Sequence, residues 1–350
     1  MDSMNIFNGK MICKLPYTNR LPMFCSILML LLAGSVAYSD ELESCSNKAD
    51  TGERLTCYDT LALSKKISAD GVVTRSYLTQ AWDLDNRDDE LLGDAQSPLR
   101  PYRGTYLIVR RSSASNIYPF SPGHPVGAAS EDIENTELKF QLSQKAKVFN
   151  AIRKPFLGFT GMRLWGAYTQ QSNWQAFNAG NSSPFRETNY EPELILTLST
   201  GNPYGLKLFN LGMVHQSNGR DLSGSRSWNR GYVQGGWESE SISVLARAWW
   251  RVPENGAQDD NADIEEYIGR ADITLRWEPS DRSQVLDVLL RNNLRFSENR
   301  GFIQLDWAAP VTVSKSTRLH VQLTSGYGES LIDYNFNQTT LGFGFSFRDW

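Results

Sequence analysis

The chain has 350 residues, of which 40% are hydrophobic and 11% aromatic, and its formal net charge is −4. The mild negative charge, with no basic cluster interleaved with aromatic residues, argues against a nucleic-acid partner. Beyond the N-terminus no apolar run reaches the ~20 residues that a membrane-spanning helix needs, but alternating barrel strands of ~9 to 11 residues escape that criterion.

The first 39 residues have the pattern of a signal peptide. Residues 23 to 37 are mostly apolar, they follow several basic residues, and small residues just before Asp40 suit cleavage there. A transmembrane anchor is the alternative, and the shortness of the apolar run disfavours it. We therefore expect residues 1 to 39 to direct the chain out of the cytoplasm.

Residues 40 to 101 are charged and compatible with helix, and we interpret them as a small periplasmic extension ahead of a barrel domain at 102 to 350. Cys45 and Cys57 remain after cleavage of the leader. In an oxidising periplasm a disulfide between them would close a short loop and contribute about 3 kcal/mol locally. A metal pair is the alternative, although no histidine lies nearby.

From about Tyr102 onward, strand-like segments are separated by alternating short and long polar connectors. Short turns on one side and long loops on the other are typical of bacterial outer-membrane barrels. We therefore expect an all-β fold, a twelve-stranded antiparallel transmembrane β-barrel, with a soluble β-sandwich as the alternative. The predicted strands lie near 103–112, 137–150, 158–171, 192–200, 205–217, 227–238, 242–252, 266–278, 283–296, 301–310, 317–328 and 338–350.

One polar stretch, VHQSNGRDLSGSRSWNR at 214–230, joins two of these strands and carries the candidate chemistry. His215 and Ser217 are two residues apart, so on a strand both side chains leave the same face. A base beside a hydroxyl is what a serine nucleophile requires. Asn229 begins the next strand and is expected to lie beside His215, which would complete a triad with a neutral third member.

The faces of these two strands are inverted relative to a soluble protein. His215 and Ser217 continue an apolar stripe that includes Leu211 and Met213, and the opposite face is more polar. On the next strand Asn229 lies on the apolar side as well. Apolar residues outside and polar residues inside indicate a membrane barrel, with the candidate site facing lipid.

Three blocks of the sequence are distinctive: SPFRETNYEP (183–192), HxSNGR with SRSWNR (215–230) and SGYGESLIDYNFNQT (325–339). In these blocks, and from about Ile108 to Trp350 as a whole, the chain resembles the outer-membrane phospholipase A family of Gram-negative bacteria. The resemblance implies a twelve-stranded outer-membrane barrel that hydrolyses acyl esters of phospholipids and lysophospholipids. It further implies calcium as cofactor and a homodimer as the active state, with the site toward the outer leaflet.

For single residues, the resemblance implies that Ser217 is the nucleophile, His215 the base and Asn229 the orienting amide. It implies calcium near the oxyanion, and Gln170 matches a glutamine of the dimer interface. The implied calcium ligands are the main-chain oxygen of Arg220, the hydroxyl of Ser225, the carboxylate of Asp260 and, from the second subunit, the main-chain oxygen of Ser182.

The sequence departs from the family at one position near the implied calcium site. Leu222 occupies the position where the family commonly has an acidic residue, and Asp221 precedes that position by one residue. This departure bears on the calcium affinity more than on the reaction. His124 and His320 have no comparable neighbours in sequence and are predicted to be structural or solvent-facing.

Two other functions compete with the lipase. A non-catalytic outer-membrane barrel, either a narrow pore or a structural protein, fits an inner face that carries Arg230, Gln234 and Glu238. A soluble secreted esterase is the third reading, which fractionation of membranes would separate from the first two.

Overall fold

The structure, a computed structural model, describes residues 46, 50–64, 76–85, 99–124, 132–152, 156–202, 205–256, 259–311 and 314–347. The predicted leader, Cys45 and the C-terminal Trp350 lie outside these residues. The chain divides into two units, 1–74 and 75–350. In the first unit helix α1 (Thr51–Ser64) carries Cys57, which is disulfide-bonded.

The second unit contains a closed barrel of twelve antiparallel strands. Each strand pairs with the next one in sequence, and the last pairs with the first, from Thr340 opposite Ser112 to Phe347 opposite Thr105. The strands are β1 (Thr105–Ser112), β2 (Thr136–Ile152), β3 (Gly161–Trp174), β4 (Phe185–Ser199), β5 (Leu206–Ser217), β6 (Ser227–Glu238), β7 (Ile242–Arg251), β8 (Ala271–Trp277), β9 (Val285–Asn292), β10 (Gly301–Val311), β11 (Ser314–Tyr327) and β12 (Asn337–Phe347). The predicted strand number and all-β class are confirmed.

Two predicted boundaries were wrong. β4 begins at Phe185 rather than near residue 192, because its polar first half continues the ladder with β3 and keeps Arg186, Glu187 and Asn189 buried in the lumen. The strand predicted from residue 266 begins at Ala271. A short helix precedes it, α3 (Ile264–Ile268), whose two isoleucines, four residues apart, are both buried.

The two barrel ends differ in their connections. We call the end formed by the connections after the odd-numbered strands the upper end. These connections are 113–135, 175–184, 218–226, 252–270, 293–300 and 328–336. The connections after the even-numbered strands form the lower end and include the three-residue turn 239–241. Because β5 ends at Ser217 and β6 begins at Ser227, the candidate site lies at the upper end.

Burial alternates along the strands as predicted, with apolar side chains outside. On β5 Phe209, Leu211 and Met213 are exposed, whereas Leu208 and Asn210 are buried. No helix in the described part of the chain is long and apolar enough to cross a membrane. The exposed belt of aliphatic and aromatic residues is instead carried by strands, as in membrane barrels.

A short helix, α2 (Tyr77–Trp82), lies inside the lumen toward the lower end. Trp82 is buried, and the ammonium of Lys145 on β2 lies 3.0 Å from the centroid of its ring. Asp83, directly after the helix, forms an ion pair of 2.8 Å with Lys147. At the start of the helix, the main-chain nitrogen of Leu78 donates to Glu238 Oε1 at 2.8 Å. These bonds fasten the helix to the inner wall.

At the upper end the connection 328–336 folds into the lumen and is held by buried ion pairs. Glu329 Oε1 accepts from Arg110 and from Lys139 Nζ, at 2.5 and 3.0 Å. Asp333 Oδ2 accepts from Arg186 Nη1 at 2.8 Å. A charge inside a barrel is costly unless it is paired, and these pairs satisfy that requirement.

Candidate active site

The structure brings His215 and Asn229 together across the β5–β6 ladder. Their Cα positions are direct partners in the register, and His215 Nδ1 lies 2.9 Å from Asn229 Oδ1. Ser217 is two residues along β5 from His215 and pairs with Ser227. His215 therefore has the Asn229 amide in hydrogen-bond contact, and Ser217 follows on the same outward face.

The loop after Ser217 is folded around the buried side chain of Asn218. Its Oδ1 accepts from the main-chain nitrogens of Arg226 and Arg220, at 3.0 and 3.3 Å, and its Nδ2 donates to the main-chain oxygen of Gly224 at 2.8 Å. Gly219 has a φ of +62°, a left-handed conformation that glycine adopts at little cost. The Asn-Gly pair is a turn signal in the sequence, and here it determines how the strand ends beyond the serine.

The carboxylate of Asp260 lies beside the loop of Ser225. Ser225 Oγ donates to Asp260 Oδ2 at 2.6 Å, so two of the implied calcium ligands are in direct contact. The other carboxylate oxygen, Oδ1, lies 2.9 Å from His124 Nε2. His124 is therefore a neighbour of the candidate metal site, which sequence reasoning missed because 136 residues separate it from Asp260.

The other two implied calcium ligands, Arg220 and Ser182, lie on two different upper connections. Arg220 lies in the loop that contains Ser225, and its guanidinium is 4.0 Å from Glu187. Ser182 is exposed on the β3–β4 connection, directly after a 3-10 turn. Among the described residues there is no group of three or more His, Cys, Asp or Glu side chains that could hold a metal. The donor types that the resemblance implies, a carboxylate, a hydroxyl and main-chain oxygens, are those that a hard cation such as calcium prefers.

Three outward-facing residues form a row across the upper part of the wall. Gln170 on β3 pairs with Tyr190 on β4, and Tyr190 pairs with Ser217 on β5. Tyr190 is exposed and Gln170 is half-buried. The surface next to the candidate nucleophile therefore carries Gln170, the residue that the resemblance matches to a glutamine of the dimer interface.

His320, in contrast, points into the lumen and lies far from the candidate site along the barrel wall. It is buried, and its Nε2 is 2.9 Å from Asp306 Oδ1. Its predicted structural role agrees with this position.

The family model described as phospholipase A1 matches residues 78–347. The chain belongs to this family. It is 36% identical over 254 residues to phospholipase A1 of Salmonella typhimurium and of Escherichia coli K12, covering 72% of this chain and 82% of each relative. It is also similar to the outer membrane phospholipase of Salmonella typhi, solved as a dimer with bound calcium, with a TM-score of 0.62, covering 72% of this chain and 93% of that one. The resemblance seen in the sequence is confirmed.

Proposed function

We propose that this phospholipase A hydrolyses acyl esters of phospholipids and lysophospholipids in the outer membrane with Ser217 as nucleophile, His215 as base and Asn229 as the orienting residue. The observation that carries the proposal is the 2.9 Å contact between His215 Nδ1 and Asn229 Oδ1 on the lipid-facing wall, two residues from a serine. Membership of the phospholipase A1 family supports the reaction class.

The proposed reaction follows from the position of each group. The Asn229 oxygen accepts a hydrogen bond from the protonated Nδ1 of His215, which leaves Nε2 with a lone pair for the Ser217 hydroxyl. As Ser217 Oγ attacks the ester carbonyl, its proton passes to His215 Nε2. His215 then gives this proton to the departing alcohol, and water releases the fatty acid from the acyl-serine with the same base.

The developing oxyanion needs positive charge, and we propose that calcium supplies it when bound. The residues that would hold it are Ser225, Asp260, the main-chain oxygen of Arg220 and, across a homodimer, the main-chain oxygen of Ser182 in the second copy. The direct contact between Ser225 and Asp260 supports this set, because two oxygen donors already converge there. Calcium bound to the related Salmonella typhi enzyme dimer supports both the cofactor and the assembly.

The position of the serine also accounts for a dimer. A site on the outer wall receives its lipid sideways from the membrane, and a single convex wall offers the acyl chain no pocket. A second barrel against the row of Gln170 and Tyr190 would provide one, in an isologous arrangement. In this proposal the upper end faces outward, so the site lies in the outer leaflet.

We propose the same division of the chain as the sequence suggested, with a leader at 1–39, a periplasmic extension at 40–101 and the barrel at 102–350. The last part of the extension continues into the barrel interior. Helix α2 lies within the lumen, and Arg100 and Pro101 pair with Lys145 and Gln144 of β2.

The lumen argues against the rival function of a narrow pore. Arg230 is buried and donates to Glu191 Oε1 at 3.2 Å, and Gln234 accepts from Asn210 Nδ2 at 2.8 Å. Glu238 is bound by the main chain of α2. Each of these inner residues is hydrogen-bonded to another residue of the barrel interior, and both ends carry inserted segments.

The test is fatty-acid release from mixed phospholipid and detergent micelles by refolded full-length protein, with calcium and with a chelator. Ser217→Ala is expected to abolish release while the barrel stays folded, measured by its heat-dependent mobility on a gel. Ser325→Ala is the matched control, since Ser325 is an outward-facing serine of β11 whose hydroxyl lies 2.9 Å from that of Thr339. Equal release by Ser217→Ala and wild type would refute the assignment.

A further inference from the structure

A carboxylate lies behind the third member of the proposed triad. Asn229 Nδ2 donates to Glu254 Oε1 at 3.3 Å, while Asn229 Oδ1 contacts His215 Nδ1 at 2.9 Å. Glu254 lies on the upper connection between β7 and β8. The start of that connection is fixed to the same residue, because the main-chain nitrogen of Val252 donates to the main-chain oxygen of Asn229 at 2.8 Å.

We propose that Glu254 is a positioning residue, which fixes the orientation of the Asn229 amide and, through it, the tautomer of His215. The inference rests on the proposed triad of Ser217, His215 and Asn229. It concerns a residue 25 positions away from Asn229, outside the strands that carry the triad.

The argument depends on the two unlike ends of an amide. An amide side chain can present either its oxygen or its NH2 group to a histidine. In the flipped orientation the Asn229 NH2 group would face His215 and its oxygen would face Glu254, which sets two acceptors against each other. An ionised carboxylate only accepts hydrogen bonds. Glu254 therefore selects the orientation in which the Asn229 NH2 points to the carboxylate and the oxygen points to His215.

The consequence for His215 follows directly. Facing an acceptor oxygen, Nδ1 carries the proton, and Nε2 keeps the lone pair that a general base requires. Asn229 by itself brings no charge to the imidazolium that forms during the reaction. Glu254 places a carboxylate on the side of Asn229 that faces away from His215.

Glu254 is itself held in place. Arg251 Nη2 lies 3.8 Å from Glu254 and 2.6 Å from Asp259 Oδ1, and the guanidinium also donates to the main-chain oxygen of Asn261 at 3.3 Å. The Glu254 side chain is only 18% exposed. It therefore loses less conformational entropy in contacting Asn229 than a free surface glutamate would.

The first test compares Glu254→Ala with wild type in the micelle assay. We expect kcat to fall about fivefold with KM unchanged, the loss expected for one partly exposed hydrogen bond. Glu298→Ala is the control, because Glu298 is an exposed glutamate of another upper connection. Wild-type kcat in Glu254→Ala, with Ser217→Ala inactive, would overturn the role of Glu254 and leave the proposed triad intact.

In the second test the effect of Glu254→Gln on kcat should change sign between two backgrounds, which a merely structural role would not produce. In Asn229→Asp two carboxylates face each other, and Glu254→Gln added to that variant supplies a donor instead. We therefore expect Glu254→Gln to lower kcat in the wild-type background and to raise it in the Asn229→Asp background. The same sign in both backgrounds would contradict the proposal.

The third test does not depend on activity. The chain has three histidines, so the ¹⁵N signals of His215 can be assigned by replacing His124 and His320 one at a time. We expect His215 to carry its proton on Nδ1 in wild type and to shift toward a mixture of tautomers in Glu254→Ala. An unchanged tautomer in Glu254→Ala would overturn the role of Glu254, whatever the activity. Absence of fatty-acid release by the wild-type protein would instead refute the proposed function.

Discussion

The buried carboxylate of Glu329 provides a measurable test of how the lumen is held together. Glu329 and Arg110 are each 1% exposed, and Glu329 Oε1 also accepts from Lys139 Nζ. In Glu329→Gln the two cations lose their anionic partner while the shape of the side chain is kept. Breaking a buried pair in this way typically costs about 3 to 5 kcal/mol.

The structure places this variant at the lower limit of that range. Arg110 keeps its ion pair with Glu137 and Lys139 keeps its hydrogen bond to Gln322, so neither cation is left without a partner. A similar loss of unfolding free energy follows from the pKa of the Glu329 carboxyl. Arg110 and Lys139 outweigh the effect of burial and lower the pKa of Glu329 from 4.5 to about 2, which corresponds to about 3 kcal/mol.

The sign of the pH dependence follows from this shift. Because the pKa of Glu329 is lower in the folded barrel than in the unfolded chain, its contribution is fully present above pH 4.5 and is lost as the pH falls through about 2. The difference in unfolding free energy between wild type and Glu329→Gln should therefore be about 3 kcal/mol at neutral pH and shrink below about pH 4.

The assay is urea unfolding of refolded protein in micelles, followed by the fluorescence of its ten tryptophans. Glu265→Gln is the control, because its partner Arg270 is 73% exposed and such a surface pair contributes at most about 1 kcal/mol. Equal losses in the two variants, or a difference that grows at acid pH, would refute the reasoning.

Three further outcomes are expected. Asn229→Ala should lower kcat about tenfold at unchanged barrel stability, since one orienting hydrogen bond to His215 is lost, and a loss confined to KM would contradict this. Asp260→Asn should raise the calcium concentration that gives half-maximal fatty-acid release, because one of the two convergent oxygen donors beside Ser225 loses its charge; an unchanged calcium requirement would remove Asp260 from the set. Leu211→Arg puts a charge on the exposed outer face of β5 and should destabilise the folded barrel in lipid vesicles by about 2 to 4 kcal/mol, with little effect if that face is not lipid-exposed.

The strand pattern was predictable from the sequence because the period of a strand is two. A single alternation decides which side chains face outward, so the exposed positions of Phe209, Leu211 and Met213 and the number of strands followed from local order. Boundaries were less accurate where both faces of a strand are polar, as in the first half of β4, because alternation carries no signal there. The helix α3 was not predicted for a different reason: it is only five residues long, too short to show a helical period in the sequence.

The core of the site was predictable for a similar reason. His215 and Ser217 share a strand face, and Asn229 follows after the single loop 218–226, so the contact between His215 and Asn229 required only the pairing of consecutive strands. The sequence blocks around these residues indicated the family, and the match of residues 78–347 to the phospholipase A1 family model confirmed it.

Tertiary structure decided the contacts between residues that are distant in sequence. The positions of Glu254 behind Asn229, of His124 beside Asp260 and of Glu329 between Arg110 and Lys139 depend on how upper connections fold over or into a closed cylinder. Alternation along a strand states only whether a side chain points inward or outward. Which charge it meets there is determined by closure of the barrel, because closure brings opposite walls and inserted loops within hydrogen-bond distance.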